Sequence, residues 1–157
     1  MLPTRDASKA MVTPVPDDQH PDTPPVVDLG SVVSADAVLG PGVHVGPFCR
    51  IGPGVVLEAG VRLHSHVVLE GPLHIGPRTE VYPFTTLGCA PQHLAYAGEP
   101  TKLSIGADCI IREQVSIHRG TVGGGGETVL GDRVFVMAQV HIGHDCRIGD
   151  GVILGGN

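Results

Sequence analysis

Aliphatic side chains recur at every sixth residue through the first half of the chain. The series fills eleven consecutive positions: Val27, Val33, Leu39, Val45, Ile51, Leu57, Leu63, Leu69, Ile75, Val81 and Leu87. An amphipathic helix would need apolar residues spaced by three and four, and a single strand would not keep this phase for about sixty residues. A short period that persists this long predicts stacked repeats. Hexapeptide repeats are typical of a parallel β-helix, in which each repeat is one short strand and one corner.

A second set of small or apolar residues lies two positions before the aliphatic series. It comprises Ala37, Val43, Cys49, Val55, Val61, Val67, Leu73, Thr79 and Thr85. Because alternate residues of a strand point to the same side, both positions of each repeat are predicted to point inward. Three repeats then make one triangular coil, which predicts an all-β fold with three faces, called A, B and C. The prediction assigns Val45 and Val81 to face A, Ile51 and Leu87 to face B, and Leu57 and Ile75 to face C.

The six-residue period is interrupted twice. The first interruption is CAPQHLAYAGEPTK, residues 89–102, after which the period resumes at Ile105. The second is HRGTVGGGGET, residues 118–128, after which the period resumes at Leu130. Each interruption is interpreted as a loop extruded at a corner of the coil, since an insertion there leaves the stacked strands in register.

This interpretation places both loops at one corner. Leu87, Ile117 and Ile142 then lie above one another on face B, with about 4.8 Å between layers. Both loops leave the corner between faces B and C, where His118 and His144 also lie. Because functional residues concentrate on loops held by a rigid scaffold, this corner is the predicted site.

Composition restricts the classes of function. A chain of 157 residues with 41% hydrophobic residues suffices for one domain with its own core. Aromatic residues make up only 3%, and the formal net charge of −6 argues against nucleic acid or an anionic membrane as the main partner. No stretch resembles a signal peptide or a membrane span, so the cytoplasm is the expected compartment.

Three of the four cysteines, Cys49, Cys109 and Cys146, occupy the inward position two residues before an aliphatic. A small buried residue is needed there, so neither a disulfide nor a metal-binding role is expected for them. No cofactor is expected either.

The two ends of the chain differ from its middle. Residues 1–25 are polar and rich in proline, which predicts a disordered leader. Residues 26–157 are predicted to form the β-helix domain. The last residues, GVILGGN, stop within a coil and carry no polar cap, so the domain is expected to be incomplete at its C-terminal end and to expose a strand edge.

The segment VHIGHDC, residues 140–146, carries the strongest candidate chemistry. His141 is predicted to project outward from its strand, and His144 lies at the corner beside Asp145. An imidazole titrates near pH 6.5, so it is mostly neutral and able to accept a proton at cytoplasmic pH. A neighbouring carboxylate can orient the ring and stabilise the imidazolium that forms. His144 is therefore the candidate general base, with solvated surface histidines as the alternative.

Other interpretations of these residues remain open at this point. His141, His144 and His118 could meet to hold a catalytic zinc. The glycine run at residues 123–126 could cradle a phosphate through its backbone N–H groups, although a flexible loop is the favoured interpretation. Four histidines off the inward positions are expected at the surface: His44, His64, His66 and His74.

Five motifs together resemble one enzyme family. They are VGPFCRIGPG (45–54), LHSHVVLEG (63–71), YAGEPT (96–101), IHRGTVGGGG (117–126) and HIGHDC (141–146). The combination resembles the acyl-carrier-protein-dependent UDP-N-acetylglucosamine O-acyltransferases, which open lipid A synthesis in Gram-negative bacteria. The resemblance implies a left-handed parallel β-helix that assembles as a homotrimer, with active sites in clefts between subunits.

The resemblance also implies roles for individual residues. His144 matches the general base and Asp145 its partner, while His141, Gln92 and His118 are expected to contact the substrate. The expected reaction transfers a 3-hydroxyacyl group from acyl carrier protein to the 3-hydroxyl of UDP-N-acetylglucosamine.

The sequence departs from the family pattern in two respects. His93 and Ala95 stand where the family often has Asp and Lys. The resemblance implies further coils and a C-terminal helical domain that carry an acyl-chain ruler, an oxyanion-hole donor and basic residues for the carrier protein, and these parts are expected to be missing here. This chain alone is therefore expected to be weakly active or inactive. Three alternatives remain: a sister N-acyltransferase of the same pathway, a zinc enzyme of the γ-carbonic-anhydrase kind, and an inactive β-helix fragment.

Overall fold

The structure is a computed structural model that describes residues 23–155. Of the predicted disordered leader at residues 1–25, only residues 23–25 fall within this range. Nineteen short strands and no helix are found in the described residues. Residues 23–155 therefore contain no helix that is long and apolar enough to cross a bilayer.

The strands follow one another at nearly constant spacing. The first ten are β1 (Val26–Val27), β2 (Val32–Val33), β3 (Val38–Leu39), β4 (His44–Val45), β5 (Arg50–Ile51), β6 (Val55–Leu57), β7 (Arg62–Leu63), β8 (Val68–Leu69), β9 (Leu73–Ile75) and β10 (Glu80–Val81). The remaining nine are β11 (Thr86–Cys89), β12 (Lys102–Ile105), β13 (Ile110–Ile111), β14 (Ser116–His118), β15 (Glu127–Leu130), β16 (Phe135–Val136), β17 (His141–Ile142), β18 (Arg147–Ile148) and β19 (Ile153–Leu154).

Successive strands pass to successive faces of a three-sided coil. Face A has the order β1-β4-β7-β10-β13-β16-β19, face B has β17-β14-β11-β8-β5-β2, and face C has β18-β15-β12-β9-β6-β3. All pairings between neighbouring coils are parallel. The predicted fold is confirmed: the chain forms a left-handed parallel β-helix, and the six residues named above lie on the faces assigned to them.

The inward positions of the repeat form the core. The largest fully buried aliphatic side chains are Ile51, Leu57, Leu63, Leu69, Ile75, Leu87, Leu103, Ile105, Ile111, Ile117 and Leu130. The first members of the series differ, because Val27 is 44% exposed and Val33 and Leu39 are only partly buried. The strand of Val27 is the first of face A and has a neighbour on one side only among the strands of residues 23–155.

Polar and sulfur-containing residues at inward positions satisfy their hydrogen bonds within the coil. The Thr79 hydroxyl donates to the Gly106 carbonyl at 2.9 Å. Cys49 Sγ donates to the His64 carbonyl at 2.9 Å, and burial raises the pKa of this thiol. Cys109 is buried in the same way. The burial of Cys49 and Cys109 confirms their assignment as packing residues, whereas Cys146 is half-buried against the core.

The two interruptions leave the stack in register. Leu87 pairs with Ile117, and Ile117 pairs with Ile142, as predicted for face B. The loops are slightly shorter than the interruptions in the sequence: loop 1 comprises residues 90–101 and loop 2 comprises residues 119–126. Both connect a strand of face B to the next strand of face C, so they leave the same corner.

The corners require residues in the left-handed backbone region. Positive φ occurs at the non-glycine residues Phe48, His66, Arg78, Phe84, Asp108, Gln114, Arg133, Gln139 and Asp145. Most residue types pay about 1–2 kcal/mol for this conformation, whereas Asp and Asn tolerate it better. The backbone is therefore strained at many corners, and this conformation keeps the strands of successive coils paired.

A pair of isoleucines on face A tests how much the buried positions stabilise the fold. Ile111 is fully buried, and Ile153 is 67% exposed. We expect Ile111→Ala to lower the free energy of unfolding by about 2–5 kcal/mol, because it removes buried methylenes and leaves a cavity. The matched change Ile153→Ala should cost less than about 1 kcal/mol. Chemical denaturation of both variants measures the difference, and equal losses would contradict this account of the core.

Candidate functional site

Three segments meet at the corner between faces B and C. They are loop 1, loop 2 and the turn between β17 and β18, residues 143–146. An open pocket of about 390 Å³ lies among them. It is lined by His93, Ala95, Tyr96, Glu99, Thr121, Val122, Gly123, Gly124, His144 and Asp145. The convergence predicted from the two interruptions is therefore present in the folded chain.

His144 and Asp145 form a close pair at this pocket. His144 Nδ1 lies 2.6 Å from Asp145 Oδ2. Because an ionised carboxylate only accepts hydrogen bonds, the proton of the neutral ring lies on Nδ1, and Nε2 is left with a lone pair. Among the hydrogen bonds of residues 23–155, none uses His144 Nε2. The side chain is 30% exposed, so this nitrogen can meet a ligand.

Loop 2 holds the carboxylate of that pair. The backbone N–H of Thr121 donates to Asp145 Oδ1 at 2.6 Å, and the Thr121 hydroxyl donates to Asp145 Oδ2 at 2.6 Å. The backbone N–H of Asp145 donates to the Thr128 hydroxyl at 2.9 Å. Burial acts to raise the pKa of Asp145, but the hydrogen bonds from Thr121 and His144 outweigh it, so the pKa lies below its usual value. Asp145 is therefore held as a carboxylate.

Loop 1 covers the pocket from the other side. The ring of His93 meets the ring of His144 edge to face, with centroids 5.5 Å apart. Arg119 ties loop 1 to the body of the coil: its guanidinium donates to the Tyr96 hydroxyl at 2.9 Å and to the Gly71 carbonyl at 2.8 Å. The position of His93 over the pocket thus depends on contacts between the two loops.

The other predicted site residues lie around the pocket rather than in it. His141 projects outward from β17 as predicted, with its Nδ1 2.8 Å from Ser116 Oγ. His118 is buried, because β14 extends through it, and its Nδ1 donates to the Ala90 carbonyl at 2.6 Å. The rings of His118 and His141 are 5.2 Å apart. Gln92 is exposed in loop 1 and is not among the residues that line the pocket.

Two of the histidines expected at the surface lie beside glutamates on the outer faces. His64 lies 2.8 Å from Glu80, His74 lies 2.7 Å from Glu58, and both imidazoles are about half exposed. Within residues 23–155, no group of three or more His, Cys, Asp or Glu side chains is placed to hold a metal ion.

The glycine run of loop 2 lies against the side chain of Asp145. A Cβ atom added at Gly124 would overlap the carboxylate of Asp145. The backbone N–H of Gly126 donates to the Thr121 carbonyl at 2.7 Å. The Gly124 backbone thus lies against Asp145 and the Gly126 N–H is bonded within the loop, whereas the interpretation of residues 123–126 as a flexible loop stays a prediction.

Sequence reasoning missed Thr121, Thr128 and Arg119 as parts of the site. Thr121 and Arg119 lie in the IHRGT motif beside His118, and a hydroxyl within a loop next to a candidate base was a usable signal. Thr128 was assigned to the second interruption, but it lies at a buried position of β15.

Comparison with known families gives one matching family model. Residues 30–65 and 127–157 match the model described as bacterial transferase hexapeptide (six repeats). An acyl-[acyl-carrier-protein]–UDP-N-acetylglucosamine O-acyltransferase from Thermodesulfovibrio yellowstonii is 53% identical over 93 residues, which cover 59% of this chain and 36% of that protein.

Solved structures agree with the sequence comparison. A crystal structure of UDP-N-acetylglucosamine acyltransferase is 45% identical, with a TM-score of 0.81, and the match covers 82% of this chain and 50% of that chain. The structure of LpxA from Acinetobacter baumannii is 41% identical, with a TM-score of 0.80 over the same fractions of both chains. The chain thus spans about a third of the length of the curated relatives it matches and half of the solved structures. The resemblance inferred from the five motifs is confirmed for the portion of these enzymes that the chain matches.

The lowered pKa of Asp145 predicts a pH dependence of stability. A carboxyl whose pKa is lower in the folded than in the unfolded chain contributes stability above its unfolded value, about 3.9, and loses it as the pH falls through the folded value. We expect Asp145→Asn to lower the free energy of unfolding by about 1–3 kcal/mol at pH 7, because the amide cannot accept all of these hydrogen bonds. The deficit should shrink below about pH 4.

Denaturant titrations of both proteins between pH 7 and pH 3 measure this deficit. Asp36→Asn is the control at pH 7, because Asp36 is exposed in a corner of the first coil and its substitution should change stability little. A deficit for Asp145→Asn that stays constant with pH would contradict the assigned carboxylate interactions.

Proposed function

We propose that this chain forms the base-bearing part of an acyltransferase that transfers a 3-hydroxyacyl group from acyl carrier protein to the 3-hydroxyl of UDP-N-acetylglucosamine, the first step of lipid A biosynthesis. The observation that carries the proposal is the His144 Nδ1–Asp145 Oδ2 contact of 2.6 Å at an open pocket. The substrate assignment is supported by the names of the relatives, which are O-acyltransferases acting on UDP-N-acetylglucosamine.

The proposed mechanism uses His144 as general base. Its Nε2 accepts the proton of the sugar hydroxyl while the sugar oxygen attacks the thioester carbonyl of the acyl group. The carbon–sulfur bond then breaks, and the proton passes from the imidazolium to the departing thiolate. Asp145 holds the ring through Nδ1 and stabilises the imidazolium by its charge. General-base assistance of this kind contributes about 10²–10⁴ in rate.

The neighbouring side chains have proposed roles in holding the sugar nucleotide. His141 is exposed next to the base, and its Nδ1 contact with Ser116 leaves Nε2 available for a substrate group. His118 lies behind His141 and supports the orientation of its ring. Gln92 is exposed in loop 1. Its proposed contact with the sugar requires that the ligand or a neighbouring subunit bring the two together.

The proposed assembly is a homotrimer with clefts between subunits, working in the cytoplasm with acyl carrier protein as donor. An open pocket at one corner, lined mostly by residues of the two loops, is the kind of surface that a second subunit can complete. The part of the relatives that this chain does not match would supply further groups around the thioester.

A chimera provides the test. The segment of the Acinetobacter baumannii enzyme that matches this chain is replaced by the corresponding residues of this chain, and transfer from 3-hydroxyacyl carrier protein to UDP-N-acetylglucosamine is measured. We expect turnover, and we expect His144→Ala to reduce kcat/KM by about 10²–10⁴ because the proton acceptor is lost.

The matched control is His74→Ala, since His74 pairs with Glu58 on face C and is absent from the pocket lining. Transfer that prefers the corresponding amino sugar nucleotide would favour the sister N-acyltransferase. Activity that survives His144→Ala unchanged would contradict the proposed base.

A further inference from the structure

We infer that Thr121 is a positioning residue that fixes the Asp145 carboxylate and, through it, the His144 imidazole. The inference concerns a residue outside the base and its partner, and its catalytic consequence rests on the proposed function. Its structural part, the control of one histidine tautomer by one loop hydroxyl, can be tested without any activity.

Thr121 contacts both oxygens of the carboxylate. Its backbone N–H donates to Asp145 Oδ1 and its hydroxyl donates to Asp145 Oδ2, each at 2.6 Å. The same hydroxyl oxygen accepts the backbone N–H of Gly124 at 3.1 Å. Because that N–H occupies a lone pair of the hydroxyl oxygen, the hydroxyl proton is directed to Asp145. The direction of this hydrogen bond follows from the loop geometry.

Loop 2 is shaped to bring Thr121 to this place. The Gly124 backbone lies so close to the carboxylate that a Cβ atom at this position would overlap it. The Gly126 N–H closes the loop by donating to the Thr121 carbonyl at 2.7 Å. The glycines therefore let the backbone pass over Asp145, and the threonine supplies the two donors that hold it.

One oxygen joins the threonine to the base. Asp145 Oδ2 accepts from both the Thr121 hydroxyl and His144 Nδ1, each at 2.6 Å. A carboxylate held at both oxygens cannot rotate without losing hydrogen bonds, so Oδ2 stays in the plane that His144 needs. The Asp145 side chain is only 18% exposed, so water is a poor substitute for the missing donor. Loss of the hydroxyl should therefore loosen the carboxylate and let the imidazole change tautomer or turn.

The test compares three threonine variants of the full chain. Thr121→Val keeps the shape and the backbone N–H but removes the hydroxyl, and Thr121→Ser restores a hydroxyl. Thr101→Val is the matched control, because Thr101 is 1% exposed and its hydroxyl has no hydrogen-bond partner among the described residues. The probe is the ring nitrogen spectrum of ¹⁵N-histidine-labelled protein, which distinguishes Nδ1–H from Nε2–H.

We expect the wild type, Thr121→Ser and Thr101→Val to show His144 as the Nδ1–H tautomer with a low-field proton signal. Thr121→Val should lose that signal or mix the two tautomers. In the chimera, Thr121→Val should lower kcat about tenfold with KM changed less than about twofold, because one charge-assisted hydrogen bond is lost away from the substrate.

Each outcome decides one question. An unchanged His144 signal and unchanged kcat in Thr121→Val would overturn the inference. A lost signal in Thr121→Val of this chain, together with a chimera that transfers no acyl group, would support the positioning role and contradict the proposed function. If Thr121→Val does not fold, Thr121→Ala takes its place: it also removes the hydroxyl that donates to Asp145 Oδ2, and it must show the same loss of signal for the inference to stand.

Discussion

Continuous parallel pairing between coils is the constraint on which the rest of this structure depends. Each strand is only two to four residues long, so no strand is stable alone, and its backbone groups are satisfied by the coils above and below. A change of one residue within a coil would turn every following inward side chain outward. The need to keep neighbouring coils paired therefore appears in the sequence as the six-residue period.

Insertions can be accommodated only where they leave the pairing untouched. Loops 1 and 2 both enter and leave at the corner between faces B and C, and the strands on either side remain paired from Leu87 through Ile117 to Ile142. Two loops on successive coils at one corner lie against each other, which allows Arg119 of loop 2 to bind Tyr96 of loop 1. The pocket thus exists because the solenoid confines irregular backbone to its corners.

Most of the fold could be predicted because aliphatic spacing reports inward positions directly. The pairing of Leu87 with Ile117 followed from treating both interruptions as corner insertions, since the period is intact on either side. The pairing of His144 with Asp145 could be expected from their adjacency. The role of Thr121 could not, because it depends on how loop 2 folds over the carboxylate, and no period extends into a loop. The burial of His118 was missed for a related reason: a register shift beside Cys89 prolongs face B beyond the regular repeat.

Asp145 lies at a corner of the coil and also belongs to the candidate site, so the same backbone conformation serves both. Asp145 has a φ of 65°, which is the left-handed conformation found at many corners of the coil, including those at Asp108 and Gln139. Aspartate tolerates this conformation better than most residues, so an aspartate here costs the fold no more than another corner residue would. The same backbone turn places its N–H on Thr128 and its carboxylate between Thr121 and His144. The carboxylate beside the proposed base is therefore fixed first by the geometry of the coil and only then by the loop. This order explains how a solenoid of short strands can hold an imidazole in one orientation at its edge.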